Sequence, residues 1–470
     1  MKAVAPTDSI DVQALRVGMV VHLDVGWMSH PFPLSSFRIT SAAQLDKIRA
    51  LGLKRVRWSP QDSAPEGQES TLHGPDAADT EPGRDAEAAN DPTGAGADHA
   101  ATESRDRDAG SAAAAVSAGA TPADGEPAAP VPTDAERART ARARRLLRQA
   151  EAERRCEQQY AEAARACRHT LELVLERPGQ ARAQAEALVH AVIEKMIGEQ
   201  DLCVRMLTEG AGDKASMHSM NVGVIALLMG RCFGFSDAEM ADLGVGALLH
   251  DVGKLEMPLR LRHRDDSFSP SEARVYEEHV ELGVAQARRL GLSAGAAQVI
   301  AQHHEHADAS GFPARLNSDR MTMAARIVAL VNRYDNLCNP HLLARALTPH
   351  ESLSLLFAHG RSKYDASILN AFIRMMGVYP PGSVVQLTDD RYALVVAVNS
   401  SRPLKPSVLV HDPDVARADA LVLELEAAPG LGIRRSIRPQ QLPPTALAYL
   451  APTARVAYFF EPSIAPEELP

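Results

Sequence analysis

The chain has 470 residues, room for roughly two to four domains and a sizeable core, and a net charge of −10 that argues against a nucleic-acid polymer as partner. Its five cysteines are scattered and include no Cys-x-x-Cys pair, which excludes a disulfide framework or a cysteine zinc site and fits reduced thiols. No charged-then-apolar leader opens the sequence, and the best apolar run, Val222 to Met229, falls far short of the roughly 20 residues a membrane span needs, so a cytoplasmic protein is expected.

Residues 8–60 read as a small α+β unit. Val20 to Leu23 is strand-like, and Gln44 to Ala50 has helical apolar spacing after the capping candidates Thr40 and Ser41. Gly52 can end that helix, and Arg55 to Trp58 alternates as a strand does. Lys54, Arg55 and Arg57 are most simply a solvated strand face. Residues 62–133 are Ala, Gly, Pro, Asp and Glu with few large aliphatics, and no aromatic occurs between Trp58 and Tyr160. Such a segment buries too little apolar surface to offset its ordering entropy, which predicts a disordered linker.

From Thr133 or Asp134 as N-cap, an Arg/Ala/Glu-rich helix is predicted over 134–178, stopped by Pro178-Gly179. Tyr160, Ala164, Cys167, Leu171 and Val174 follow a 4-3-4-3 spacing. Packing on the following domain and a homodimer through this helix account for that seam equally well.

Residues 181–376 read as helices with short connections and without strand signals, so an all-α domain is expected there. Asn221 to Met229, Ala241 to Leu249 and Ala324 to Val331 are apolar enough to be interior. Into this apolar sequence fall His218, His250, Asp251, His279, His303 and His304. One buried histidine is ordinarily a hydrogen-bonded core residue; five with a carboxylate among them are hard to satisfy that way. Adjacent helical residues diverge by about 100°, so His303 and His304 need a second element closing around them. The simplest arrangement has Asp251 bridging two metals with histidines on either side. Imidazole and carboxylate donors suit Fe, Mn or Zn, and a two-metal pair activates water against a phosphoryl group. Lys254, a turn beyond Asp251, is placed to meet a phosphate oxygen.

After Tyr379-Pro380-Pro381-Gly382 the sequence turns strand-like. Runs at 383–387, 392–398 and 407–410, separated by turn signals, predict a small β-rich appendix over 380–462. Its simplest role is to complete the fold, and partner binding is the alternative.

The combination His218-Ser219-x-Asn221-Val222, His250-Asp251-Val252-Gly253-Lys254 with Pro258, His279-x-x-x-Gly283 and His303-His304-Glu305-x-x-Asp308-x-x-Gly311-Phe312-Pro313 closely resembles the HD-GYP domain over roughly residues 185–376. Leu15-x-x-Gly18-Met19-x-Val21 through Trp27-x-x-His30-Pro31-Phe32 resembles the small domain that often precedes it. The resemblance implies a bacterial signalling phosphodiesterase that binds two divalent metals and hydrolyses cyclic di-GMP to linear pGpG and on to GMP. It implies an HD-type helical fold, making the chain mainly α, and leaves signalling proteins as further partners. One metal would take His218, His250 and Asp251; the other would share Asp251 and take His279, His303 and His304. Asp251 and Lys254 would be catalytic, with Lys254 on the scissile phosphate and Gly311, Phe312 and Pro313 as the signature substrate turn.

The chain also departs from that pattern. Asn332 stands where the family usually has an Asp that completes the first metal site, and it supplies an oxygen without charge. Asp335, one turn on, is the residue that could make up the deficit as a ligand. Lys214 occupies a position where some members carry Glu, and His341-Leu342-Leu343-Ala344 replaces the usual Arg-Pro-Tyr-Arg. These departures give a second reading: a degenerate domain that works as a cyclic di-GMP receptor or interaction module without turnover.

Overall fold

The computed structural model describes residues 8–25, 36–39, 41–60, 63, 133–196, 202–207, 213–264, 267–399 and 402–462. Nearly all of the predicted linker, as well as Trp27, His30, Pro31, Phe32 and Thr40, lies outside the described residues.

The N-terminal module is a small four-stranded sheet with one helix. Its strands β1 (Asp8–Asp11), β2 (Val20–His22) and β3 (Ser36–Arg38), helix α1 (Ala42–Ala50) and strand β4 (Arg55–Ser59) make a sheet of order β1-β4-β2-β3. Ser41 caps α1 by accepting from the amide of Gln44, and Val12, Leu15, Met19, Val21, Leu45, Ile48 and Val56 form its core.

Two long helices follow. α2 (Asp134–Leu173) and α3 (Pro178–Met196) are separated by a turn over residues 174–177, and Pro178 serves as the first residue of α3 because its missing N–H is not needed there. Tyr160, Ala164, Cys167 and Val174 are all buried in the chain's main core, with Leu171 packed against it. The 160–174 seam is thus packed within its own chain.

The chain then enters strand β5 (Leu202–Leu207), followed by helices α4 (Lys214–Cys232), α5 (Asp237–Leu248), α6 (Pro270–Glu277), α7 (His279–Leu290), α8 (Ala294–Gln302), α9 (Met323–Cys338), α10 (Pro349–His359) and α11 (Ala366–Met376). α4 is almost wholly buried, from Ser216 to Gly230 save His218, and packs on α5 and α9. The C-terminal part supplies β6 (Val384–Leu387), β7 (Tyr392–Asn399), β8 (Ser407–Val410), β9 (Val422–Glu424), β10 (Ile433–Ile437), helix α12 (Pro444–Leu450) and β11 (Ala457–Pro462).

This is the mainly α architecture that the sequence suggests, with one difference. The segment 181–376 is not purely helical: β5 lies inside it and pairs antiparallel with β11, Leu202 opposite Pro462 and Leu207 opposite Ala457, and on its other edge with β7. Leu202-Cys203-Val204-Arg205-Met206-Leu207 alternates only partly, and its strand identity is fixed by partners about 190 and 260 residues away rather than by local pattern. The β-rich C-terminal region is consequently knitted into the helical core, and β11 packs directly on α4. No described helix is long and apolar enough to cross a membrane.

Candidate metal centre and active site

Three helices end inside the core, and each leaves a histidine at the break. α5 stops at Leu248, and His250 in the next turn donates from Nδ1 to the carbonyl of Ala247 at 2.7 Å. α6 stops at Glu277, and His279 donates from Nδ1 to the carbonyl of Tyr276. α8 stops at Gln302, and His303 donates from Nδ1 to the carbonyl of Ile300 at 2.7 Å. The logic is the same each time: the last turn of a helix leaves carbonyls without intrahelical donors, and an imidazole three residues on satisfies one. A carbonyl only accepts, so Nδ1 holds the ring proton and Nε2 presents a lone pair. His218, within α4, reaches the same state through Asp335, whose Oδ2 is 2.6 Å from its Nδ1.

Those lone pairs converge. Nε2 of His218 is 3.1 Å from Nε2 of His250, and Nε2 of His279 is 3.3 Å from Nε2 of His303. Asp251 lies between the pairs, with Oδ2 3.7 Å from His218 and 3.5 Å from His250, and Oδ1 3.6 Å from both His279 and His303. Asp251 Oδ1 and His304 Nε2 are buried without a hydrogen-bond partner. Acceptors facing one another in a water-poor interior are unfavourable unless a cation sits among them. The donor atoms form two sets that share Asp251: His218, His250 and Asp251 in one, and Asp251, His279, His303 and His304 in the other. The residues therefore fit divalent metal ions.

The electrostatics agree with that fit. Burial pushes His250 and His304 well below the usual histidine range and His279 down to about 3, which keeps these rings neutral, the form that ligates. Burial acts to raise the pKa of Asp251, but Lys254 and the surrounding histidines outweigh it and hold the carboxylate well below its ordinary range.

Most of these candidate donors stand in turns rather than within helices, which resolves the divergence expected of adjacent helical residues. His303 caps α8 and His304 lies beyond its end, so both rings turn to the same set, 4.2 Å apart. Asp251 opens a 3-10 turn over Val252–Glu256, whose i,i+3 residues eclipse, and Lys254 Nζ accordingly sits 2.6 Å from Asp251 Oδ2. Lys254 Nζ also lies 5.4 Å over the Tyr276 ring. This turn presses on the start of α7, where a Cβ at Gly253 would meet the carbonyl oxygen of His279 at 2.0 Å. Only glycine lets the two donor sets approach so closely.

The signature turn forms one wall. The Phe312 ring stacks on His304 at 4.5 Å, and a Cβ on Gly311 would strike the His304 carbonyl oxygen at 2.5 Å. Glu305, although adjacent to the ligands, is buried away from the donor sets and accepts from the amides of Ala314 and Leu316, at 2.7 and 2.8 Å, holding the loop that carries Pro313.

Asn332 and Asp335 do not sit as ligands. Asn332 is buried, and its side-chain oxygen accepts from Asn336 at 2.6 Å. Asp335 is fully buried behind His218, not beside the metal-facing nitrogens; its Oδ1 accepts from Asn221 at 2.7 Å and from Asn339 at 2.9 Å. It orients His218 instead of adding a donor, because His218 stands between it and the pocket. Both asparagine amides also donate to the carbonyl of Val456, and Asn221 Oδ1 and Asn339 Oδ1 accept from the amides of Tyr458 and Val456. The C-terminal strand thereby backs the first donor set. Asn221 stood in the quoted motif without an assigned role, whereas nothing in the local sequence of Asn339 marked it.

Comparison with known proteins places this geometry. A family model described as HD domain matches residues 192–368, and one described as Domain of unknown function (DUF3391) matches residues 8–185. The chain is similar to a cyclic di-GMP phosphodiesterase of Pseudomonas aeruginosa, 25% identical over 241 residues that make up 50% of this chain and 57% of the relative. It is similar to another of Borreliella burgdorferi, 21% identical over 192 residues, 41% of this chain and 51% of the relative. The chain thus spans about half the length of these curated relatives. A solved HDG"Y"P protein from Bdellovibrio bacteriovorus aligns with 46% of this chain and 69% of its own at 20% identity and a TM-score of 0.36. The chain therefore carries, in order, a region that matches the DUF3391 model and a region that matches the HD-domain model.

Proposed function

We propose that this chain is a metal-dependent phosphodiesterase that opens cyclic di-GMP to linear pGpG and onward to GMP. The observation that carries the reading is the pair of donor sets meeting at Asp251, one of whose oxygens is buried and unpartnered. Two divalent ions of the Fe or Mn kind, one per set, supply when bound the Lewis acidity that activates water and offsets phosphoryl charge. The chain's own residues do the rest. Neutral imidazoles, fixed by their Nδ1 bonds, present lone pairs without reorganisation. Asp251 contributes the shared negative charge. Lys254, whose ammonium lies 2.6 Å from Asp251 Oδ2, is the cation that would donate to a phosphate oxygen. Phe312 and Tyr276 pack against each other and against His304, beside the second donor set.

Incubation of the Mn²⁺- or Fe²⁺-loaded protein with cyclic di-GMP, followed by chromatography, should yield pGpG. Tight binding of the intact cyclic dinucleotide with no linear product would replace this reading by the receptor one.

Asp335→Asn should weaken metal binding at the first donor set by roughly 10–100-fold while the second set keeps its ion, since only the charge behind His218 is lost. Titration with Mn²⁺ followed by electron paramagnetic resonance reads both sites; unchanged affinity at the weaker one would show that Asp335 has no part in holding His218. Asn332→Asp, which adds a carboxylate to the helix that carries Asp335, should act in the opposite direction, raising first-site occupancy or turnover several-fold. A variant equal to wild type in both would place position 332 outside the metal's reach.

A further inference from the structure

Side chains from four separate parts of the chain meet near the first donor set, and two of them, Lys214 and Arg455, are cations. Lys214, at the start of α4, lies with Nζ 3.3 Å from Nδ1 of His341. His341 stacks on His263 with ring centroids 4.5 Å apart and planes 15° off parallel. Arg455, just before β11, donates from Nη1 to the carbonyl of Pro340 at 3.3 Å, which sets its guanidinium next to His341. Burial, then Arg455 and Lys254, push Lys214 down to about 8, so three cationic side chains feel one another at this rim. The carboxylates of Asp335 and Asp251 are also within electrostatic reach of Lys214, which locates the cluster beside the donor sets.

Like charges held together by the fold are destabilising until an anion joins them. The anion in question is already implied by the chemistry of a cyclic dinucleotide, which carries two phosphodiesters. One is cleaved over the donor sets beside Lys254; the other needs a cation some distance away. The segment His341-Leu342-Leu343-Ala344 brings no arginine to that task, and Arg455 from the C-terminal module reaches the same segment from outside it.

We infer that Lys214 and Arg455, with His341 beside them, bind the phosphate of the cyclic dinucleotide that is not being cleaved. This rests on the phosphodiesterase reading above. It makes the C-terminal module part of the substrate site and gives the chain a means of preferring a two-phosphate substrate to a simple diester.

The test compares cyclic di-GMP with bis(p-nitrophenyl) phosphate, which has a single phosphodiester, in Lys214→Ala, Arg455→Ala and the double variant of the full metal-loaded chain. Each single change should raise KM for cyclic di-GMP about tenfold, the double change more, and the loss of kcat/KM should exceed that for the simple diester by about tenfold. Lys214→Arg and Arg455→Lys, which keep the charge, should recover most of the KM. Equal losses on both substrates, or an unmoved KM for cyclic di-GMP in variants that melt like wild type, would overturn the inference. Wild-type protein that cleaves the simple diester yet neither cleaves nor binds cyclic di-GMP would instead sink the substrate reading, and this inference with it.

Discussion

Asp251→Ala should lose both metal equivalents and phosphodiesterase activity in one step, with turnover falling on the order of 10³-fold or more. The expectation follows from where the carboxylate stands. Its two oxygens each lie 3.5–3.7 Å from a different pair of imidazole nitrogens, so its removal strips both donor sets at once. Removing any one histidine takes a donor from only one set. Lys254 would then be left buried without its 2.6 Å partner, which further disfavours cations in the pocket. Metal analysis and a turnover assay on the same preparation check this, and a variant that keeps full activity would end the shared-carboxylate account.

Lys254→Ala should separate chemistry from metal binding. The ammonium lies 2.6 Å from Asp251 Oδ2, an oxygen that a metal would also take, so removing the lysine should leave metal affinity equal or improved. Substrate turnover should nonetheless fall about 100-fold, because a charge-assisted bond to the phosphate is lost. If Lys254 were only a structural counter-ion of Asp251, kcat would follow metal occupancy and return in excess Mn²⁺. A loss that persists at saturating metal identifies the lysine with the phosphate.

How far the site could be read from the chain depends on what fixes each part. The candidate metal donors His218, His250, Asp251, His279, His303 and His304 were legible because polar residues in apolar helical sequence are costly and must share a purpose. Their donor sets meet as that argument requires. Less legible was that the helices end at most of them: Leu248, Glu277 and Gln302 carry no Gly or Pro stop beside the histidines, and the imidazole bonds to Ala247, Tyr276 and Ile300 are themselves the caps. Asp335 was read as a spare ligand because its helical offset from Asn332 is all that sequence shows; that His218 would stand in front of it is a tertiary fact. The strand β5 and the buried role of Asn339 were hidden for the same reason, since both are defined by β11 and the residue before it, more than 100 residues downstream. The elements α1, α9, β6, β7 and β8 lie where their sequence patterns put them.

The most direct trial of the whole account is the metal content of the purified chain, measured by inductively coupled plasma mass spectrometry alongside conversion of cyclic di-GMP. Two divalent ions per chain, with linear pGpG as product, is the predicted outcome. One ion or none in a chain that still cleaves the dinucleotide would contradict the paired donor sets on which everything here is built.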